Sequence, residues 1–364
     1  MEAPLRRPVI PIKGRGTPER IAHRFERDAR EAFDDGWAAE PQDDAGAPPP
    51  VTVVTEEHAR SILASNDSPD IPFDRSLNPY RGCEHGCSYC YARPTHSYLN
   101  LSPGLDFETR LVAKVNAAEQ LRAELARPGY RPSPVNIGSA TDCYQPVERR
   151  LRLTRAVLEV LTACEHPFTL VTKSAGVERD LDLIAPAARR GQAAVFISVT
   201  SLDNALARRL EPRAAAPARR LQAVARLAEA GVPVGVNIAP VIPFVNEPEI
   251  ERIVEAAAAA GAGSIHYTVL RLPWEVAPLF RAWLERHLPD RAARVMARVR
   301  DMRGGKDYEA DFGSRMKGQG VWAELIAQRV RKAAERHRLA GLRLSLDASR
   351  FRPPAADPAQ QVLF

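Results

Sequence analysis

Three cysteines, Cys83, Cys87 and Cys90, fall within eight residues of the stretch NPYRGCEHGCSYCYAR (78–93). Thiolates at this density bind zinc or an iron–sulfur cluster. A structural zinc site wants four protein ligands, and the local sequence supplies three sulfurs. His85 stands between Cys83 and Cys87, where reaching the same ion would strain the loop. Cys143 is a remote fourth candidate, and Cys164, within a helical pattern, reads as a small buried hydrophobe. A cubane [4Fe–4S] cluster held by three thiolates leaves one iron with an open coordination position. Five clustered cysteines do not form the framework of a secreted disulfide protein and fit a reducing compartment.

The elements that must position this loop can be read downstream of it. Short β-branched runs, VNIGSA (135–140), FTLVTKS (168–174), AVFISVTS (194–201), VPVGVNIAPVI (232–242) and SIHYTVLR (264–271), alternate with helical patterns such as TRAVLEVLTAC and APARRLQAVARLAEAG. The alternation repeats at roughly 25–35 residues per unit and predicts right-handed βαβ crossovers with a parallel sheet. With one strand leading into the cysteine loop there are about six units, which suits a partial rather than a closed TIM-like barrel. Thr141, Asp142, Lys173, Ser198, Thr200 and Asn237 fall at strand ends, where parallel α/β folds gather their sites. The bland roles for such residues are a snorkelling lysine and helix-capping hydroxyls.

The spacing C-x3-C-x2-C, with Tyr89 just before the last cysteine, is similar to the signature of the radical S-adenosylmethionine (SAM) enzymes. The fuller string GCEHGCSYCYAR most resembles the spore photoproduct lyase branch and its uncharacterised bacterial relatives, over roughly residues 70–275. The resemblance implies a (β/α)6 partial barrel and a [4Fe–4S] cluster on Cys83, Cys87 and Cys90. It further implies SAM chelated at the open iron and cleaved by one electron to a 5′-deoxyadenosyl radical that abstracts hydrogen from a substrate. By the same resemblance Thr141, Ser198 and Tyr89 contact SAM, Lys173 pairs with its carboxylate, and Asn237 reaches the ribose. Tyr89 and Tyr91 match tyrosines used near the radical and in returning hydrogen, with packing around the cluster as their plain alternative. Two departures stand out. GSATD replaces the usual glycine-rich segment with glutamate, and Ser139 occupies the place of a cysteine hydrogen donor. Cys143 could substitute as donor only if its loop turns inward.

The resemblance also implies a one-electron donor such as flavodoxin or ferredoxin, and a lyase or repair reaction on nucleic acid as one outcome. The rival reading is a zinc-stabilised nucleic-acid-binding protein without catalysis. A net charge of +6 supports nucleic acid only weakly, because 45 of the 51 basic residues are arginines in an Ala- and Pro-rich chain. A phosphate-binding role would concentrate Arg303, Lys306, Arg315 and Lys317 at the barrel mouth, in a Gly-rich segment (303–320) read as a basic lid. Residues 1–60 read as an N-terminal extension, with a helix from Thr17 to about Phe33 and an acidic Pro/Ala-rich linker. Residues 61–275 form the barrel and 276–364 a helical C-terminal region. No run has signal-peptide or membrane-span character, so a cytoplasmic location without membrane contact is expected.

Overall fold

The computed structural model describes residues 12–26, 50–339 and 345–354. Its strands are β1 (Val53–Glu57), β2 (Leu63–Ser65), β3 (Arg75–Leu77), β4 (Tyr80–Arg81), β5 (Arg110–Lys114), β6 (Val135–Ile137), β7 (Phe168–Thr172), β8 (Ala193–Ser198), β9 (Val234–Val241) and β10 (Ser264–Val269). Seven of them form one sheet in the order β10-β9-β8-β7-β6-β3-β2. The pairs from β3 through β10 are all parallel, and β2 adds antiparallel to β3 at the edge. Six parallel strands with no pairing between β10 and β2 make the expected partial barrel.

The strands are apolar because both of their faces are covered, as in parallel sheets generally. Ile137, Leu170, Ile197 and Ile238 are fully buried. Helices Leu153–Ala163, Leu181–Arg189, Pro217–Glu229 and Ile250–Ala259 supply the outer layer. Helix Ile250–Ala259, for example, buries Ile250, Ile253, Val254 and Ala257, a 3.6-residue stripe. Three long helices follow β10, Val276–His287, Pro289–Asp301 and Gly320–Arg336, and the last packs against helix Ile250–Ala259.

Two features depart from the sequence reading. A second, three-stranded sheet, β1-β5-β4, pairs residues of the supposed extension with the segment just after the cysteine loop. The N-terminal helix is also absent over residues 17–26, which run without helix. Thr17 does not cap a helix. Its backbone N–H and hydroxyl both donate to Glu108 Oε1, each at 3.0 Å, and a tertiary partner has displaced the local one. The remaining residues of that helix, and the linker up to residue 49, lie outside the described residues.

Candidate functional site

The cysteine loop hangs between β4 and β5 and is built from two successive turns, Cys83 C=O to Gly86 N–H and Cys87 C=O to Cys90 N–H, both 3.3 Å. Gly86 has φ +65°, and a Cβ there would stand 2.5 Å from Glu108 Oε2. Only glycine lets the loop approach that carboxylate. Arg93 and Glu108, both fully buried, form an ion pair at 2.5 Å. Arg93 Nε also donates to Cys87 C=O at 2.9 Å, tying the pair to the loop backbone. Cys83 N–H donates to Phe107 C=O and Ser88 N–H to Leu210 C=O. The loop is thus fixed from behind before any ligand arrives.

In front of it lies a cavity of about 340 Å³. Cys83, Cys87 and Cys90 all line it, as do Tyr89, Tyr91, Thr141, Lys173, Ser198 and Asn237. The strand-end residues therefore converge as the parallel sheet requires, with Ser198 and Asn237 directly opposite each other in the β8–β9 register. Burial pushes the Cys83, Cys87 and Cys90 thiols up from their ordinary values, so these side chains are neutral thiols unless a cationic partner draws off their protons. The Lys173 ammonium lies 5.9 Å from the Tyr89 ring centroid.

The two other candidate metal ligands are accounted for. His85 lines the cavity, but its Nδ1 sits 3.2 Å from Asp142 Oδ2, at ion-pair distance rather than in hydrogen-bond alignment. Asp142 in turn accepts from Thr172 Oγ1 (2.6 Å) and Lys173 N–H (2.7 Å). Burial alone would raise its carboxyl, yet the His85 charge and these donors outweigh that and hold it well below the usual range. Cys143 is fully buried in the core and is not among the cavity-lining residues. The loop turns it outward instead of inward, with its carbonyl accepting from Thr154 Oγ1 at 2.6 Å. Cys164 is core, as read. Among the described residues no group of three His, Cys, Asp or Glu side chains is spaced to hold a single metal ion. Three thiols around a roomy cavity, with no fourth in reach, suit a multi-iron cluster with one open position better than a closed zinc site.

The two tyrosines differ. Tyr89 is buried and its hydroxyl donates to Glu211, which also accepts from Thr200 Oγ1 and pairs with Arg220. Burial opposes ionisation of Glu211, but the charges of Arg220 and Lys173 prevail and bring it down to about 2. Tyr91 is 48% exposed and donates to the Ser139 carbonyl, while Ser139 Oγ accepts from Asn78 at 3.1 Å. Thr141 Oγ1 donates to Tyr80 C=O.

A scan against family models matches residues 77–257 to the Radical SAM superfamily. The uncharacterized protein Rv2578c of Mycobacterium tuberculosis is 34% identical over 273 residues, 74% of this chain and 76% of its own. The chain belongs to the radical SAM superfamily. A more distant relative, an uncharacterized protein of Methanocaldococcus jannaschii, is 26% identical over 173 residues, covering 48% of this chain and 62% of that one. Among solved structures, a spore photoproduct lyase mutant with bound AdoMet and dinucleoside spore photoproduct matches with a TM-score of 0.55 over 79% of each chain at 17% identity. That likeness concerns the fold. For this radical SAM protein the family implies a [4Fe–4S] cluster and SAM, and the three cavity-facing cysteines fit the cluster.

The basic segment 303–320 behaves differently from its sequence reading. It does reach the cavity, through Met316, whose carbonyl accepts from Val269 N–H at 2.9 Å. Its cations, however, are committed to the protein. Arg303 is fully buried and donates to the carbonyls of Val269, Leu270, Ser314 and Arg315. Arg315 forms a two-pronged pair with Asp70 at 2.7 and 2.6 Å. Lys317 donates to Tyr267 C=O and lies 3.5 Å from the Tyr267 ring centroid. Lys306 and Lys317 are the exposed members of the four, and Lys306 lies 3.7 Å from Glu309. The sequence missed Glu211, Glu108 and Arg271. The last sits at the end of the SIHYTVLR run, where the strand-end rule alone could have found it. No helix among the described residues is long and apolar enough to cross a membrane.

Proposed function

We propose that this protein is a [4Fe–4S]-dependent radical SAM enzyme that abstracts a hydrogen atom from a substrate held in the cysteine-lined cavity. The observation that carries the reading is the presence of three cysteines, and three only, on the wall that strand-end polar residues face. When bound, the cluster supplies one electron to SAM, whose C5′–S bond breaks to methionine and a 5′-deoxyadenosyl radical. This chain's residues bind and orient. Cys83, Cys87 and Cys90 hold the cluster, Lys173 takes the SAM carboxylate, and Thr141, Ser198 and Asn237 supply the remaining polar contacts. Tyr89, anchored by Glu211, serves as a packed wall of the cofactor site. Tyr91 is the phenol that faces a substrate.

A lyase-like outcome returns a hydrogen to the product, and the Ser139 hydroxyl is a poor donor for that. With Cys143 in the core, Tyr91 is the group best placed for the task. A repair-type nucleic-acid substrate gains little from segment 303–320, because its arginines are already paired. A flavodoxin- or ferredoxin-like protein is the expected electron donor. The test is anaerobic reconstitution followed by incubation with dithionite and SAM. The wild type is expected to bind four irons and form 5′-deoxyadenosine, and Cys87→Ala to lose both. A Cys87→Ala protein with full iron content and normal product would sink the assignment.

A further inference from the structure

Among the described residues the fully buried arginines, Arg93, Arg220 and Arg303, are matched, and a half-buried one, Arg271, is not. Arg93 and Arg220 pair with carboxylates, and Arg303 is wrapped by four carbonyls. Arg271, which follows β10 and lines the cavity, has neither. Its Nε is buried without a hydrogen-bond partner. One terminal nitrogen lies 3.3 Å from the Met316 sulfur and the other 3.4 Å from the Tyr308 hydroxyl, both weak neutral acceptors. Among the described residues no carboxylate is ion-paired with it. Asp70, on the same side of the mouth, is occupied on both oxygens by Arg315.

The guanidinium is nonetheless held in place. It lies 5.3 Å from the Tyr91 ring centroid and 5.9 Å from that of Tyr308. These cation–π contacts and the two weak hydrogen bonds orient the fork while its Nε stays unsatisfied and no carboxylate pairs with it among the described residues. Leaving the buried Nε of a half-buried charge unsatisfied is costly unless something arrives to pair with it. Lys173 is the other cavity cation with no carboxylate at ion-pair distance among the described residues. It belongs to the inner end, where its charge acts on Cys87 and Cys90, whereas the Arg271 charge acts on Tyr91 and Asp70 at the outer end. SAM brings one carboxylate, and Lys173 stands beside the cysteines to receive it.

We infer that Arg271 is a substrate-binding residue that receives an oxyanion, a carboxylate or phosphate group of the substrate, at the outer end of the cavity. The inference rests on the reading above for what fills the inner end. Because the fork is planar, recognition is two-pronged and directional, which lysine cannot reproduce. The anion then sets how far the substrate enters, and so which of its carbons meets the radical.

The test uses the full chain under anaerobic conditions, reconstituted and SAM-loaded, and again without SAM. Inorganic phosphate and acetate are titrated calorimetrically into wild type, Arg271→Ala and Arg271→Lys, with iron content, melting temperature and SAM affinity measured alongside. The wild type is expected to bind at least one probe. Arg271→Ala should weaken that binding about tenfold or more, and Arg271→Lys by an intermediate factor, while iron content, melting and SAM affinity hold. Preference for phosphate points to a phosphate ester as the substrate, and preference for acetate to a carboxylic acid. Equal probe binding in wild type and Arg271→Ala overturns the inference, as does no probe binding in the wild type. A fall in SAM affinity on Arg271→Ala overturns it too, by assigning the residue to the cofactor. Failure of the wild type to take up iron or SAM would count against the proposed function instead, and the probe titration without SAM would still read Arg271.

Discussion

The floor of the cavity and its mouth handle charge differently. Behind the cysteine loop two buried ion pairs match charge with charge, Arg93 with Glu108 and Arg220 with Glu211. At the mouth, segment 303–320 is fastened by the ion pairs Arg315–Asp70 and Asp307 with Arg281 and Arg300, and by donors to carbonyls at the end of β10. Of the side chains lining the space between, Lys173 and Arg271 are cations with no carboxylate at ion-pair distance among the described residues. A matched buried pair is a poor source of net stability but a strict setter of position, since losing either member strands the other. The protein uses such pairs behind the loop that carries its three clustered thiols.

The sharpest way to break this contrast is at the floor. Arg93→Met should destabilise the fold by roughly 3–5 kcal/mol, by leaving Glu108 buried and unpaired. It should also depress iron uptake, measured by denaturant unfolding and iron content. A loss below about 1 kcal/mol would make the Arg93–Glu108 pair no more than an ordinary surface bridge.

Acid provides the next largest effect. Glu211 titrates near 2 in the fold against an ordinary 4.5, so its carboxylate favours the folded state at pH values above 4.5. That contribution, on the order of 3 kcal/mol, fades as pH falls from 4.5 toward 2. The stability gap between wild type and Glu211→Gln should shrink over that window. A gap that stays constant from neutral pH to 2 would remove the charge from the explanation.

Between floor and mouth, Lys173→Ala should weaken SAM binding by roughly 1.5–3 kcal/mol, about ten- to a hundred-fold, with iron content intact. Unchanged SAM affinity would demote Lys173 to a packing residue. The smallest effect belongs to the mouth. Asp70→Asn should cost no more than about 1 kcal/mol of global stability. It should still speed amide exchange within 303–320 selectively, and exchange that rises equally throughout the barrel would contradict the local role.

What the sequence made legible was whatever depends on short-range spacing. The cysteine trio, the six parallel strands and the polar residues at strand ends were all readable, because loop ligation and βαβ units are local patterns. What escaped depends on partners far along the chain. Thr17 looks like a helix cap until Glu108, 91 residues away, takes its donors. Arg303 and Arg315 look like phosphate ligands until carbonyls and Asp70 claim them. Cys143 looks like a spare thiol until its loop puts it in the core. Charge and residue type show what a side chain can do, but only the fold shows whether it is already occupied.

The barrel's open seam has one more consequence. Because β10 and β2 do not pair, β10 is an edge strand, and edges of this kind invite strand addition by another chain. Segment 303–320 occupies its hydrogen-bonding groups: Val269 N–H gives to Met316, and the carbonyls of Tyr267, Val269 and Leu270 receive Lys317 and Arg303. The same stretch that roofs the cavity therefore protects the protein from aggregation, and changes that loosen it for the sake of substrate access carry a risk to solubility.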